Sequence, residues 1–321
     1  MVEQRPRRLR ATSGIRALVR QTRVTPGQLV LPMFVGASGA DISSMPGVRR
    51  HGLDEIGAAA YAALEAGVGA VMLFGVPQDE EKDATGSQGW AADGILQRGL
   101  GAVRSAVGDT AVVMADTCLD EFTTHGHCGV LRADGSVDND ASVACYVEMA
   151  IAQARAGASV VSPSGMMDGQ VGAIRVGLDQ AGFEEVSILA YSAKYASAFY
   201  GPFREAVTSS LQGNRATYQQ DPANRREGLR EAALDLAEGA DIVMVKPAGY
   251  YLDVLSDVAA MSPVPVAAYQ VSGEYAMIEA AAQRGWIERR RAIEESVTAI
   301  GRAGADIVLT YWAKELAKWW S

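Results

Sequence analysis

The chain contains the stretch Asp241-Ile242-Val243-Met244-Val245-Lys246-Pro247, a short apolar run that ends in a lysine. Continuously apolar runs of this length are typical of strands that are covered on both faces. Seven more runs of the same kind occur along the chain: Leu29–Val35, Val68–Val76, Ala111–Cys118, Ala158–Ser164, Ser187–Ala193, Pro265–Val271 and Ala305–Tyr311. The sequence therefore predicts eight buried strands.

Longer stretches of helical periodicity separate these runs. The predicted helices are Leu53–Ala66, Ser142–Ala156 with Ser142 as its cap, Asn224–Glu238 with Gly239 as its stop, Glu274–Arg284 and Ile287–Arg302. Eightfold alternation of strand and helix is typical of an α/β protein of the (β/α)8 TIM-barrel class. An open doubly wound sheet is the alternative, but no Gly-x-Gly-x-x-Gly turn follows the first run. We predict a single barrel domain over residues 28–321 and an N-terminal arm over residues 1–27.

The composition excludes several classes of protein. Hydrophobic residues make up 49% and charged residues 21% of the 321 residues, as in globular proteins. No apolar run reaches the roughly 20 residues of a membrane-spanning helix. A net charge of −9 disfavours nucleic acid as a partner. Three cysteines, with no apolar signal segment at the start, predict a cytoplasmic protein without a disulfide framework.

The predicted arm is rich in arginine and contains one acid, Glu3, before residue 24. Nucleic-acid-binding arms and organelle transit segments have similar compositions. Because the whole chain is acidic, we favour an arm that packs on a second copy of the chain.

Lysine is scarce, since 24 of the 29 basic residues are arginine. Two lysines, Lys194 and Lys246, end runs that are neighbours in the predicted barrel. Burial and a second nearby cation both lower the pKa of an amine, which can then attack a ketone and form a Schiff base. The alternative is that each lysine pairs with a carboxylate or extends to solvent. Lys82, Lys314 and Lys318 are predicted to be solvent-exposed.

Polar residues also end other runs, on the side of the barrel where the active sites of this fold lie. Asp116, Ser164, Ser272 and Tyr311 hold such positions. We expect these four residues to lie at the active site, and Asp116 and Ser164 to bind substrate there.

The segment Tyr195–Gln219 mixes aromatic residues, glycines and arginines without a strong helical period, which is typical of a lid over a site. Arginine binds carboxylates through two parallel hydrogen bonds. Arg204 and Arg215 in this segment therefore predict an acidic substrate. The alternative is that both are ordinary surface arginines.

The segment Asp116–Cys128 brings two cysteines, two histidines and several acids together after a predicted strand. If the strand continues, Cys118 and Asp120 face the same side, and Cys128 can return to the same point from the loop. The spacing is not that of a closed structural zinc site. Either these three residues bind zinc, or the two cysteines are a buried pair of thiols. Cys145 lies in an apolar helix and is predicted to be a core residue.

Seven motifs, spread over nearly the whole chain, resemble those of the δ-aminolevulinic acid dehydratases, also called porphobilinogen synthases. They are Met72–Pro77, His125–Gly129, Met166–Gly169, Tyr191–Ser197, Phe199–Arg204, Met244–Pro247 and Tyr269–Tyr275. The resemblance implies a hydro-lyase that condenses two molecules of 5-aminolevulinate to porphobilinogen, with loss of two waters, in tetrapyrrole biosynthesis.

The resemblance also implies roles for individual residues. Lys246 would form a Schiff base with the first substrate, and Lys194 with the second. The positions that match carboxylate-binding residues are Ser272 and Tyr311 for the first substrate, and Arg204, Arg215 and nearby Gln219 for the second.

The resemblance further implies an octamer in which the arm wraps a partner, and no organic cofactor. Many bacterial and plant members bind an allosteric magnesium ion at the position of Glu231. Zinc-dependent members carry three cysteines in the metal loop and other members carry acids, so that Cys118, Asp120 and Cys128 form an intermediate set. Gly165 stands where many members have an acid.

Two other functions stay open at this point. One is an aldolase-like lyase that uses a single Schiff-base lysine. The other is a catalytically silent barrel that serves as an oligomeric scaffold.

Overall fold

The computed structural model describes residues 3–211 and 213–321. Met1 and Val2 of the predicted arm, and Gln212 of the predicted lid, lie outside the described residues. The strands are β1 (Leu29–Gly36), β2 (Ala40–Asp41), β3 (Arg49–His51), β4 (Ala70–Val76), β5 (Val112–Thr117), β6 (Val160–Pro163), β7 (Ser187–Lys194), β8 (Ile242–Lys246), β9 (Val266–Tyr269) and β10 (Ile307–Leu309). Each of the eight predicted runs coincides with one strand, namely β1 and β4 to β10. The prediction of eight buried strands is therefore confirmed.

Eight of these strands form a closed parallel barrel. Around the sheet, β1 is followed by β4, β5, β6, β7, β8, β9 and β10. β10 pairs in turn with β1, with Leu29 opposite Val308 and Val30 opposite Leu309, and this pairing closes the barrel. The prediction of a (β/α)8 barrel is confirmed, and the open-sheet alternative is wrong.

The short strands β2 and β3 extend the sheet beside β1 and are absent from the sequence prediction. β3 consists of Arg49–His51, whose polar side chains carry no apolar strand pattern. It pairs with the end of β1, where Phe34 lies opposite Arg50. Such a strand depends on its neighbour for its conformation, because its own sequence does not favour one.

The pairing of β7 with β8 determines how the two lysines are arranged. Ala190 lies opposite Val243, whereas Ala193 lies opposite Val245, so β7 contains one extra residue between these points. This bulge shifts the register. As a result, Lys194 and Lys246 are direct register partners at the carboxyl ends of the two strands.

Helices occur ahead of β1 and after the barrel strands, and most of them cover the outside of the sheet. They are α1 (Ser13–Leu18), α2 (Leu53–Leu64), α3 (Ile95–Val107), α4 (Asn139–Arg155), α5 (Gln170–Gln180), α6 (Gly201–Ala206), α7 (Arg225–Ala237), α8 (Leu252–Met261), α9 (Ser272–Gln283), α10 (Arg289–Arg302) and α11 (Ala313–Trp320). The five predicted helices correspond to α2, α4, α7, α9 and α10. Gly239 has a φ of +101° just after α7, as expected for a helix stop.

The prediction that Ser142 caps a helix is wrong, because α4 begins at Asn139. Asp138 is the cap, and its carboxylate accepts a hydrogen bond from the Ala141 amide. Ser142 lies in the first turn, where its hydroxyl donates to the Asp138 carbonyl. Aspartate caps as well as serine does, so the helix begins at the earlier of the two candidates.

Residues ahead of β1 form an exposed arm. Neither the 3-10 helix Pro6–Arg10 nor α1 contains a buried residue. The end of the arm contacts the barrel through Val24, which packs against the core, and next to it Nε2 of Gln28 lies 3.1 Å from the Asp306 carbonyl oxygen. Across the described residues, no helix combines the length and the apolar character that crossing a bilayer requires.

Candidate active site

Lys194 and Lys246 lie side by side at the mouth of the barrel. Their side chains are almost completely buried, since the residues are only 4% and 6% exposed. Both amine nitrogens lie over the ring of Tyr191, at 5.6 Å and 4.9 Å from its centroid. The two amines therefore share one buried pocket.

Aromatic rings surround Lys246. Its Nζ lies 4.4 Å from the ring centroid of Tyr269 and 5.5 Å from those of Tyr200 and Phe203. Burial, and then the charge of Lys194, lower the pKa of Lys246 from 10.5 to about 7. A neutral amine, which is the form that attacks a carbonyl, is thus well populated near neutral pH.

Lys194 is held in its charged form. Its Nζ donates a hydrogen bond to the Ser164 carbonyl. Burial acts to lower the pKa of Lys194, but neighbouring thiols and acids outweigh burial and raise it; these are Cys128, Cys118, Asp120 and Asp116. The two lysines therefore differ, because the pKa of Lys246 is lowered and the pKa of Lys194 is raised.

Asp116 lies at the end of β5, close to both lysines. Its Oδ2 accepts a hydrogen bond from Ser164 Oγ at 3.3 Å, whereas its Oδ1 has no hydrogen-bond partner among the described residues. Burial raises the pKa of Asp116 to about 6, although Lys246 and Lys194 act to lower it. A buried carboxyl group with such a pKa can accept or donate a proton beside the two amines.

One cavity brings the lysines together with most of the residues that were predicted to bind substrate. Its lining includes Asp116, Asp120, Ser164, Lys194, Arg204, Arg215, Gln219 and Lys246, together with the rings of Phe74, Tyr200 and Phe203. Tyr311 does not contribute to this lining. Its hydroxyl lies 3.2 Å from that of Tyr269, so it contacts the outer side of the aromatic pocket around Lys246.

The predicted lid begins as a 3-10 turn, Ala198–Tyr200, and continues as α6. Ser272, which also lies outside the cavity lining, anchors it. Its hydroxyl accepts a hydrogen bond from the Phe203 amide at 3.0 Å and lies 3.3 Å from the Phe199 carbonyl. Ser272 is the first residue of α9 and not a strand residue, because β9 ends at Tyr269.

The two arginines that were predicted to bind carboxylates have different environments. Arg204, on α6, is exposed and lines the cavity. The side chain of Arg215 is partly buried, with 11% exposed, and its Nη2 donates to Asp120 Oδ2 at 2.6 Å and to the Gly126 carbonyl at 2.8 Å. Its Nε is buried without a partner among the described residues. Arg215 can therefore accept a further anionic oxygen while it stays paired with Asp120.

Cys118, Asp120 and Cys128 converge as predicted, although β5 ends at Thr117 and the strand does not continue through Cys118 and Asp120. Their ligand atoms lie within 4.8 Å of one another, and all three residues are buried. Two sulfurs and one carboxylate oxygen form a donor set that Zn²⁺ accepts in a tetrahedral site with one water. The residues present therefore fit a zinc ion. Asp116, Cys118 and Glu121 are equally close, but burial raises the pKa of Glu121, which leaves it a neutral and poor ligand.

Charges around the metal loop favour anionic ligands at two of the three positions. Burial raises the pKa of Cys118, and its thiol interacts with Cys128. Burial also acts to raise the pKa of Cys128, but the hydrogen bond with Cys118 and the charge of Arg215 lower it. Burial likewise opposes ionisation of Asp120, but Arg215 and Lys194 lower the pKa of Asp120 below its usual range. The anionic form is thus favoured most at Asp120 and least at Cys118.

The two histidines of the loop lie outside this donor set. His125 Nε2 is 3.2 Å from the Ala84 carbonyl, and His127 Nδ1 is 3.1 Å from the Tyr218 hydroxyl. Both histidines tie the loop to neighbouring segments. Cys145 is partly buried and packs against the core, as predicted.

The structure supplies a steric reason for glycine at position 165. A Cβ atom on Gly165 would overlap the hydroxyl of Tyr146. Tyr146 extends from α4, donates to the Cys128 carbonyl at 2.8 Å and lies 3.5 Å from Cys118 Sγ. The tyrosine therefore fills the space of a residue-165 side chain and stabilises the cysteine loop.

Glu231 lies apart from the lysine cavity. It lines a separate cleft with Asp168 and Glu227. Burial, and then the charges of Asp168 and Glu227, raise the pKa of Glu231. Gln219 lines both this cleft and the lysine cavity, so it connects the two.

The prediction that Lys82 is solvent-exposed is wrong. Its side chain is only 2% exposed. The Nζ atom donates to Asp79 Oδ1 at 2.8 Å and to the Thr208 carbonyl at 3.0 Å, in the segment that follows α6. Lys314 is half-buried, and Lys318 is exposed as predicted.

Sequence reasoning also misses the aromatic residues that enclose Lys246. Tyr269 is the last residue of β9, and Tyr191 lies near the end of β7. Large side chains at strand ends that face the barrel mouth are the signal that could have identified them.

A parallel (β/α)8 barrel with two buried amines at its mouth has the arrangement expected of a barrel enzyme that acts on carbonyl compounds. Comparisons with known proteins narrow this class. The family model described as Delta-aminolevulinic acid dehydratase matches residues 3–319.

Two relatives and one solved structure illustrate the similarity. Delta-aminolevulinic acid dehydratase of Mycobacterium leprae (strain TN) is 64% identical over 99% of this chain and 97% of its own length. The enzyme of Streptomyces coelicolor is 63% identical over 98% of this chain and 96% of its own length. The crystal structure of delta-aminolevulinic acid dehydratase (porphobilinogen synthase) from Toxoplasma gondii, in complex with the product porphobilinogen, superimposes with a TM-score of 0.96 at 44% identity, covering 99% of this chain and 92% of the other.

The chain belongs to the delta-aminolevulinic acid dehydratase family. It is a hydro-lyase, and enzymes of this family are in general metal-dependent. The possibility of a silent scaffold is thereby excluded.

Proposed function

We propose that Lys246 and Lys194 form the Schiff bases through which this chain condenses two molecules of 5-aminolevulinate to porphobilinogen, with loss of two waters. This condensation is the reaction of the family to which the chain belongs. One observation carries the assignment of the amines. Lys194 and Lys246 are buried register partners, and their pKa values are shifted in opposite directions.

The opposite shifts imply an order of events. The neutral amine of Lys246 adds to the ketone carbon of the first substrate, and water leaves as the carbon–nitrogen double bond forms. Lys194 is protonated and cannot attack at this stage, while its charge keeps Lys246 neutral. Lys194 then transfers its proton to a base, for which Asp116 is suitably placed, and attacks the ketone of the second substrate.

The carboxylates of the two substrates are bound on different sides of the amines in this proposal. Ser272 and Tyr311 hold the first, beyond the aromatic pocket of Lys246. Arg204, Arg215 and Gln219 hold the second, at the lid. The support is chemical, because guanidinium groups and hydroxyls are the natural partners of carboxylates. The free Nε of Arg215 is directly available for this purpose.

We propose that Cys118, Asp120 and Cys128 bind the active-site metal and that this metal is Zn²⁺. A bound zinc ion would supply a Lewis acid that polarises a substrate oxygen near Lys194. Magnesium is proposed at Glu231 as an allosteric ion, because carboxylates and water are the ligands that Mg²⁺ prefers. No organic cofactor is required, since the amines themselves carry the covalent chemistry.

A homo-octamer with arms over residues 1–27 and barrels over residues 28–321 is proposed as the assembly. It is supported by the exposed helices of the arm, which bury no residue within the chain itself. A cytoplasmic location is proposed because thiols that bind a metal must stay reduced, and the three cysteines are free.

Replacement of Lys246 by arginine tests the assignment of the first amine. Arginine stays protonated and cannot attack a ketone. Porphobilinogen formation by Lys246→Arg should therefore fall by at least about a thousandfold, while the urea midpoint of unfolding stays close to that of the parent protein. Lys318→Arg, an exposed lysine, is the matched control and should retain full activity.

Borohydride trapping identifies the reacting residue directly. In the parent protein, reduction in the presence of 5-aminolevulinate should add substrate mass to the peptide that contains Lys246. Near-normal turnover by Lys246→Arg, or label confined to other peptides, would contradict the assignment. A label on Lys246 without porphobilinogen production would instead favour an aldolase-like lyase.

A further inference from the structure

We infer that Lys82 is a positioning residue that holds the lid helix α6 and thereby sets the place of Arg204 over the lysine cavity. The inference rests on the role proposed for Arg204 and extends it to a residue outside the lining of the lysine cavity. Lys82 is buried although it stands in the acidic stretch Asp79-Glu80-Glu81-Lys82-Asp83.

The end of α6 shows what Lys82 does. The Thr208 amide donates to the Glu205 carbonyl at 3.1 Å, and the Ser209 amide donates to the Arg204 carbonyl at 2.9 Å. These two bonds form a Schellman motif, in which the residue after the helix takes a left-handed conformation. That residue is Thr208, with a φ of +48°.

Threonine is an unfavourable residue at the left-handed position that follows α6. A left-handed conformation suits glycine, whereas a β-branched side chain adopts it only under constraint from its surroundings. Lys82 supplies one such constraint, because its ammonium group donates to the Thr208 carbonyl at 3.0 Å. A cation beside the last carbonyls of a helix also interacts favourably with the helix dipole.

Both neighbours of Arg204 are fixed as well. The Phe203 amide donates to Ser272 Oγ at 3.0 Å. The carboxylate of Glu205 accepts hydrogen bonds from the amides of Ser43, at 2.9 Å, and Ser44, at 3.2 Å. Together with Lys82, these contacts immobilise the backbone on either side of Arg204 and leave its side chain exposed at the cavity.

The segment that carries Lys82 also contacts the metal loop. The Asp83 amide donates to the Phe122 carbonyl at 3.3 Å, and the Thr124 amide donates to the Asp83 carbonyl at 2.9 Å. The lid and the metal loop are thus attached to the same short segment. Lys82 therefore fixes the distance between the residues proposed to bind the second substrate and those proposed to bind zinc.

Lys82→Met is the direct test, because methionine keeps an apolar stem and removes the donor. Hydrogen exchange should become faster at the amides of Thr208 and Ser209. The KM for 5-aminolevulinate should rise about tenfold, as expected for the loss of a charged hydrogen bond, while kcat changes less than about threefold. Lys82→Gln, which keeps a neutral donor on a shorter chain, is measured in parallel, so that the test does not depend on the folding of one variant.

Two controls separate positioning from general stability. Asp79→Ala removes the other partner of Lys82 but leaves its bond to Thr208, so it should leave lid exchange and KM unchanged. Thr208→Gly in the Lys82→Met background removes the left-handed strain and should restore part of the lost KM.

A double variant tests whether Lys82 acts through Arg204. In an Arg204→Gln background, Lys82→Met should raise KM no further, since the group it positions is gone. Unchanged lid exchange in both Lys82 variants, a loss confined to kcat, or additive effects with Arg204→Gln would each overturn the inference. An unchanged KM in Arg204→Gln alone would instead overturn the role proposed for Arg204, because the exchange measurement reports on Lys82 independently.

Discussion

Raising the pH from 6 to 9 tests whether Lys246 is the neutral amine of this site. The rate of Schiff-base formation follows the fraction of Lys246 that is deprotonated. With a pKa of about 7, that fraction rises from about a tenth at pH 6 to nearly one at pH 9. The expected rate therefore increases about tenfold and levels off above pH 8.

An unshifted lysine would behave very differently. With the ordinary value of 10.5, the neutral fraction would rise about a thousandfold over the same interval and would not level off. The two cases thus differ by about a hundredfold in the ratio of rates at pH 9 and pH 6.

The assay uses levulinate, which has the ketone and carboxylate of the substrate but lacks the amine, so the reaction stops at the Schiff base. Short incubations are quenched with borohydride, and the modified Lys246 peptide is quantified by mass spectrometry. Lys246→Met provides the background. Lys194→Met should move the plateau to higher pH, because Lys194 is the strongest influence after burial that lowers the pKa of Lys246. A rate that climbs steadily to pH 9 in the parent protein would refute the reasoning.

Two further predictions concern the metal loop and its support. Asp120→Cys should tighten zinc binding by at least about tenfold, because a third thiolate is a softer ligand than a carboxylate. The affinity is measured by competition with a chelator, with Cys145→Ser as the control. Equal affinities for Asp120→Cys and the parent protein would contradict a role for Asp120 as a ligand. Gly165→Ala should destabilise the protein by about 1–3 kcal/mol in urea unfolding, since the new methyl group overlaps the Tyr146 hydroxyl; Tyr146→Phe in the same chain should recover part of the loss, and an unchanged midpoint for Gly165→Ala would refute the steric account.

The barrel and the places of its amines can be predicted from the sequence because both depend on short-range patterns. A continuously apolar run identifies a buried strand, and the residue that ends it lies at the mouth. Lys194 and Lys246 are found in this way. Cys118 and Asp120 also come together as predicted, but through the turn that follows β5 and not through a continuing strand.

What the sequence cannot supply are contacts between segments that are far apart in the chain. Arg215 and Asp120 are 95 residues apart, and no local pattern relates a substrate-binding arginine to a metal-loop carboxylate. The bulge in β7 is equally hidden, although it decides which residue of β8 faces Lys194. Residues at functional sites often depend on such contacts. Burial and contacts with distant segments shift the pKa of a side chain more than its neighbours in sequence do.

Lys82 is the clearest example of a residue whose environment depends on a distant segment of the chain. It also bears on the scarcity of lysine in this sequence. Its neighbours Asp79, Glu80, Glu81 and Asp83 are charged, and a lysine among acids is usually solvated. The carbonyl that accepts its hydrogen bond belongs to Thr208, 126 residues later in the chain. Thr208 has a left-handed conformation, which the sequence does not predict. Three of the five lysines are therefore buried at or near the active site, two as amines for chemistry and one as a point charge on a flexible stem. An arginine at position 82 would bring a planar fork of donors to a place that offers one carbonyl and one carboxylate oxygen, so the compact ammonium group of lysine fits this contact better.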